Sequence, residues 1–499
     1  TWYWNRYPGA RCDSDSYIYC YSFDKDLLQE WNWSMRYPEQ PEILRYLDNF
    51  ADRYDLRKDI QFDTRVTEAH YDGATNAWSV ATDRGDRVTA RYVVAAIGCL
   101  STGNIPDMPG RDAFKGEMYH TGSWPHEPVS FAGKRVAVIG TGSSGTQAIP
   151  VIAGRADHLT VFQRTAQFTI PAQNHPMTED FREDVKARYD EIWRLTKETP
   201  RGQPFGDTDP RPAIEVPEDE RTSLYEAAWH KGGWYFTTAF PDLYTNEASN
   251  ETAAEFVRGK IREIVKDHAK VEKLTPRGYP YGTKRALMDT HYYETYNREN
   301  VALVDLREEP IETITPAGIR TTTQEYEFDT IVFATGFDAM TGPLKSIDIR
   351  GRDGVSIRDR WADGPHTYLG LSVAGFPNLF ALTGPGSPSV LTHMPVAIEQ
   401  HVEWVSELLS HWNEPGFDRI EATPEAEEAW DAHVREAAEK TIYVKGESWY
   451  LGSNVPGKPR VFMPYAGGML TYRQRCNEIA TNGYEGFAIG RPAEAGAAR

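Results

Sequence analysis

Apolar positions along this chain fall into three kinds of pattern. Short β-branched runs occur at Arg135–Ile139 (RVAVI), His158–Phe162 (HLTVF), 301–306 and 329–337 (DTIVFATGF). They predict strands, and the first and last read as buried on both faces. Alternation marks 61–97, with Asp72-Gly73 and Arg84-Gly85-Asp86 at the turns, and predicts an antiparallel meander. A hairpin is expected over 311–326, around Pro316-Ala317-Gly318. Helical periodicity appears over 40–54, where Ile43, Leu44, Leu47 and Phe50 share a stripe, and again over 144–153, 395–410 and 423–440. Between 171 and 271 the texture shifts to charge, Pro and helix formers, which predicts a solvated helical insertion without chemistry of its own. The last residues, AEAGAAR, read as a frayed tail.

One strand carries chemistry. After Ile139 come Gly140, Gly142 and Gly145 at G-x-G-x-x-G spacing, with Ser143 at the head of the predicted helix. The first glycine permits a tight turn, the second lets backbone approach a pyrophosphate, and the third lets helix and strand pack closely. Free N–H groups at the helix start then hold the anion. An NAD site would place Asp or Glu after the second strand, but this chain has Gln163, Arg164 and Thr165. A cation there suits a 2′-phosphate, so NADP(H) is preferred.

Length and charge narrow the class. A chain of 499 residues holds two or three domains. With 54 basic against 73 acidic residues the net charge is −19, which argues against nucleic acid or an anionic membrane as partner. No apolar run is long enough to span a bilayer. Cys12, Cys20, Cys99 and Cys476 lack metal-ligand spacing, so a cytoplasmic protein with reduced thiols and no metal is expected.

The stretch before the glycine turn carries a family resemblance. Phe114, Gly116, His120, Trp124 and Pro125 match F-x-G-x-x-x-H-x-x-x-W-P, and the chain resembles the type I Baeyer–Villiger monooxygenases over nearly its whole length. The resemblance implies an α/β fold with two Rossmann-like domains, for FAD and NADP. The FAD domain would occupy 1–132 and 329–499, the NADP domain 133–171 and 279–328, and the helical insertion 172–278. It also implies a βαβ unit before Thr1 carrying a first glycine fingerprint, so the sequence is expected to be a fragment lacking that unit.

The implied reaction inserts one oxygen atom of O2 beside a ketone carbonyl, through a flavin C4a-peroxide, to give an ester or lactone. The resemblance puts Arg285 at the flavin, oriented by Asp13, and Lys284 at the 2′-phosphate beside Arg164 and Thr165. Trp4, Tyr19, Gly384 and Trp449 would meet the cofactors, while Cys99, Leu100, Val390, Leu391 and Met394 would line the ketone pocket. His120, with its motif, would couple domain rotation to catalysis. Pro395 after Met394 departs from the family pattern and leaves loop shape open. A monomer or weak homo-oligomer is expected. Two alternatives stand beside this reading: a flavin monooxygenase of amines or sulfides, and an inactive fragment without FAD.

Overall fold

The apolar runs assemble as their pattern predicts. β1 (Glu117–His120), β2 (Arg135–Ile139), β3 (His158–Gln163), β4 (Val301–Asp305) and β5 (Thr330–Phe333) form one parallel sheet in the order β4-β3-β2-β5-β1. β2 is covered on both faces. Val136 and Val138 pack with Ile149 and Ile152 of helix α1 (Ser143–Ala153), while Ala137 and Ile139 pack with Ile314, Ile319 and Phe328 on the other side. That double burial is why the strand is apolar throughout. The chain runs from β2 outward to β3 and β4, then returns to β2's other flank as β5. This reversal is a topological switch point, and α/β sheets of this kind take their ligands at such a point, here the carboxyl ends of β2 and β5.

The computed structural model describes residues 1–206, 208–412 and 417–490, and the AEAGAAR tail lies outside them. The sheet crosses both divisions drawn from the sequence at 132/133 and 328/329. Glu117 pairs with Thr330 and His120 with Phe333, so β1 and β5 both belong with the glycine turn. Local pattern shows that a run is a buried strand, but register alone shows which sheet takes it.

The meander lies where the alternation predicts, at Val66–Asp72, Ala77–Thr82 and Arg87–Ala90, with Asp348–Arg350 added in parallel. Val93–Ala95 then pairs in parallel with Leu379–Ala381. A second core gathers Ile43 and Tyr46 of the helix Gln40–Arg53 against Val396, Trp404 and Leu408 of α2 (Met394–His411). Pro395 sits in the first turn of α2, where a missing N–H costs nothing. Among the described residues no helix is long and apolar enough to cross a membrane.

The insertion differs from expectation. Among the described residues it holds five α-helices, Glu179–Ala187, Tyr189–Glu198, Glu218–Lys231, Glu247–Ile264 and His268–Leu274. Its aromatic residues Tyr225, Trp229 and Phe236 pack around Phe256 and join the same core as β2 and α1. It is therefore part of the domain body rather than a solvated bundle. Two of its segments, around Arg201 and Trp234, also reach the cavity described next.

Candidate active site

The glycine turn is built as its spacing implies. Gly140 has φ +106°, and a Cβ there would meet the Ala334 carbonyl oxygen at 2.4 Å. A Cβ on Gly145 would meet the Gly140 oxygen at 2.3 Å, so the third glycine lets α1 close on the turn. Gly142 faces open space with nothing within 4 Å, and Ser143 beside it is exposed. An anion approaching backbone has that room.

Beyond β3 lie three cations. Arg164 is exposed after Gln163, and Lys284 sits half-buried with its ammonium 4.8 Å from the Tyr279 ring centre. The third, Arg307, follows β4 and donates to the Thr165 hydroxyl at 3.4 Å. Register explains the meeting, because Asp305 of β4 pairs with Gln163 of β3. Burial, then Arg164 and Arg307, lower the Lys284 pKa to about 8, with Glu447 acting weakly the other way. Among the described residues none of the three makes an ion pair. A cluster of like charge without a counter-charge fits a bound phosphate.

A second cavity lies around Arg285. Its Nη2 and Nε donate to one carboxylate oxygen of Asp13 at 2.6 and 3.3 Å, and its Nη1 donates to the Val390 carbonyl at 3.1 Å. The guanidinium lies 5.0 Å from the Trp234 ring centre, and the Trp234 indole donates to the Asp13 backbone oxygen at 2.6 Å. Burial works against the Arg285 charge, but Asp13 and Tyr450 outweigh it and raise its proton affinity. Burial also pushes the Tyr450 hydroxyl up to about 12, against the pull of Arg285. Cys99, Leu100, Val390, Leu391 and Met394 share one apolar cluster with Tyr450 and Phe462. Burial raises the Cys99 thiol, whose sulfur lies 3.8 Å from the Ser389 hydroxyl.

His393 completes this wall. It precedes α2, is 3% exposed, and neither ring nitrogen has a partner in the protein. Burial drops its pKa to about 3. A neutral buried imidazole with a free donor and a free acceptor needs a bound group carrying complementary atoms, since an unmet buried polar atom costs about 1–3 kcal/mol. A flavin, with ring carbonyls and an imide N–H, meets that need.

The remaining expected residues sit further out. Trp449 is half-buried against Tyr450, 4.4 Å between ring centres, and it is Tyr450 that touches Arg285. Tyr19 lies edge-on to His393 at 5.8 Å and accepts from the Trp2 indole at 3.1 Å. Trp4 is 53% exposed, and its carbonyl accepts the Trp124 N–H at 3.1 Å. Gly384 packs so closely that a Cβ would meet the Gly370 oxygen at 2.4 Å.

The motif residues bridge β1 to its surroundings. Phe114 is buried, and Gly116 leaves room for the Asp329 oxygen. His120 ends β1, accepts the Gly122 N–H at 3.0 Å and packs edge-on to Phe337 at 6.0 Å. Trp124 is buried beside Tyr119, and Pro125 is half-buried.

Sequence reasoning missed Trp234, Tyr450, His393 and Arg307. Arg307 directly follows a predicted strand end, but nothing local ties it to Gln163–Thr165. Trp234 had a faint signal in Gly232-Gly233, both at positive φ, with Gly233 turned against the Tyr37 hydroxyl.

A glycine turn with a cation trio beyond it, and a cavity built on a guanidinium–carboxylate pair, define a nucleotide-binding protein with a second, separate site. A family model described as FMO-like, flavin-binding monooxygenase-like, matches residues 14–175. The chain is 44% identical over 497 residues to a Baeyer–Villiger monooxygenase of Pseudooceanicola batsensis, covering 99% of this chain and 90% of that one. Among solved structures, oxidized steroid monooxygenase bound to NADP superposes with TM-score 0.93 at 52% identity, covering 98% and 92%. The OTEMO complex with FAD and NADP gives TM-score 0.94 at 42% identity, with the same coverages. The chain belongs to the type I Baeyer–Villiger monooxygenase family. It is an FAD- and NADPH-dependent Baeyer–Villiger monooxygenase of α/β fold.

Proposed function

We propose that this enzyme takes a ketone and O2, and that Arg285, held by Asp13, is the group on which its chemistry turns. When bound, NADPH and FAD supply a hydride and an O2-derived oxygen nucleophile. The carbonyl oxygen of the ketone gains negative charge as that nucleophile adds, and Arg285 faces the change. A guanidinium keeps its proton at any working pH and presents a fork of donors. Here it is fixed by the Asp13 carboxylate, the Val390 carbonyl and the Trp234 face, so little reorganisation is needed when charge develops. Trp234, Tyr450, Val390 and Leu391 line one side of the cavity, and with the nucleotides bound this wall would help to keep water from the reacting atoms. The 2.6 Å contact between Arg285 and Asp13 is the observation that carries this reading.

Gly140, Gly142, Ser143 and Gly145 would hold the NADP(H) pyrophosphate, and Arg164, Thr165 and Lys284 its 2′-phosphate. Trp4, Tyr19 and Gly384 would approach the flavin, and Trp449 the nicotinamide nucleotide. Cys99, Leu100, Val390, Leu391 and Met394 would shape the ketone pocket, with His120 and its motif as the coupling between domains. Four buried unpaired thiols support a cytoplasmic setting, for a monomer or weak homo-oligomer.

The test is Arg285→Ala in the holoenzyme. Ester formation should fall about 100- to 1000-fold, the loss typical of one preorganised donor, while NADPH still bleaches the flavin absorbance. Ester formation at near wild-type rate would sink the assignment, and faster turnover of an amine than of any ketone would redirect it.

A further inference from the structure

Arg201 is a second guanidinium in the Arg285 cavity, and nothing in the reaction described above uses it. It comes from the loop between the helices Tyr189–Glu198 and Glu218–Lys231 of the insertion. The loop is tied to the pocket wall, because the Arg201 carbonyl accepts the His393 N–H at 3.1 Å. Next to it Gly202, at φ +64°, leaves no room for a Cβ beside the Thr392 hydroxyl. The Arg201 Nη1 donates to the Thr237 carbonyl at 3.1 Å and to its hydroxyl at 2.7 Å, and the guanidinium lies 4.7 Å from the Tyr244 ring centre.

These contacts fix the side chain without neutralising it. Among the described residues Arg201 makes no ion pair, and Asp13 is engaged by Arg285. Burial raises the Tyr244 and Tyr443 hydroxyls, and both Arg201 and Arg285 oppose that rise, so the two cations face the same rings. An arginine fixed by neutral partners, half-buried at the wall of a cavity that already holds the Arg285 charge, leaves a positive site open to an anion.

We propose that the substrate is a ketone that also carries a carboxylate, with Arg201 pairing the carboxylate while Arg285 faces the carbonyl. The inference rests on the Arg285 cavity being the ketone site. It makes Arg201 a specificity-determining residue contributed by the insertion, and it predicts a preferred spacing between carbonyl and carboxylate.

The experiment compares methyl-ketone carboxylates from 4-oxopentanoate to 7-oxooctanoate with their methyl esters on the holoenzyme, reading kcat/KM and, calorimetrically, binding in the presence of NADP+. Wild type should favour one or two acids over their esters. In Arg201→Gln that ratio should fall about 10- to 100-fold, the worth of one charge-assisted hydrogen bond, and Arg201→Lys should restore part of it. An acid-to-ester ratio that is the same in wild type and Arg201→Gln overturns the inference and leaves the site reading intact. If Arg201→Gln instead loses NADP+ affinity by a similar factor, the anion is the nucleotide's, and the proposal also falls. Ester formation persisting in Arg285→Ala removes the site reading, and this inference with it.

Discussion

Arg307 shows what a single charge does when its neighbours share its sign. It touches Thr165 and helps to hold the Lys284 pKa near 8, although it stands 23 residues past Lys284 in the chain. Replacing it with Ala should weaken NADP+ about tenfold while changing NAD+ little, because only the former offers a 2′-phosphate. Fluorescence titration of both nucleotides reads the difference. The sign of the pH effect follows as well. Free Lys284 loses its proton as pH rises through about 8, so NADP+ affinity should fall above that pH. In Arg307→Ala the inflection should move upward, since a repelling cation is gone; an unmoved inflection would mean Arg307 is not felt at the site. Arg164, Lys284 and Arg285 were legible from motif and resemblance. Arg307 was not, because its relation to Gln163–Thr165 exists only through the β3–β4 register, which no local pattern encodes.

At the scale of elements, the strand–turn–helix unit separates folding from binding. Gly145 is required by packing, for its Cβ would stand 2.3 Å from the Gly140 oxygen, whereas Gly142 meets nothing within 4 Å. Gly145→Ala should therefore lower the melting temperature by several degrees, the mark of overpacking by about 1–3 kcal/mol. Gly142→Ala should keep the melting temperature and lose NADP+ affinity, because the methyl takes the space through which backbone meets pyrophosphate. Equal melting temperatures for the two variants would contradict this division. The unit was fully legible, since β2, the three glycines and α1 are contiguous and each residue's task is local. The insertion was not. Its helices show charge on their outer faces, and the burial of Tyr225, Trp229 and Phe236 against the sheet core depends on partners far away in sequence. For the same reason the contribution of Trp234 to the Asp13–Arg285 pair could not be read from its own neighbourhood.

At the scale of the whole molecule, two buried histidines beside the loop that carries Val390 contribute to the response to acid. His401 of α2 is 0% exposed, and its Nδ1 accepts the Thr383 N–H at 3.0 Å, which anchors the segment leading to Val390. Burial drops its pKa to about 3, as it does for His393. Each has a folded pKa below the unfolded value near 6.5, so the unfolded chain binds protons that the fold does not. The stability each contributes is complete above pH 6.5 and is lost as pH falls toward 3, at about 1.4 kcal/mol per unit per histidine. Asp289 works in the opposite direction. Burial raises its pKa to about 7, so it is protonated in the fold before it is in the unfolded chain, and acidification from 7 toward 4 favours the fold at that one position. Between pH 6 and 4 these three groups together cost one proton's worth of stability where the two histidines alone would cost two. Urea unfolding at pH 7, 6 and 5 checks this. His401→Gln should flatten the fall in stability, and Asp289→Asn should steepen it. Parallel curves for wild type and His401→Gln would mean that the imidazole is already protonated in the fold, and that the anchor beneath the Arg285 cavity is a charged one.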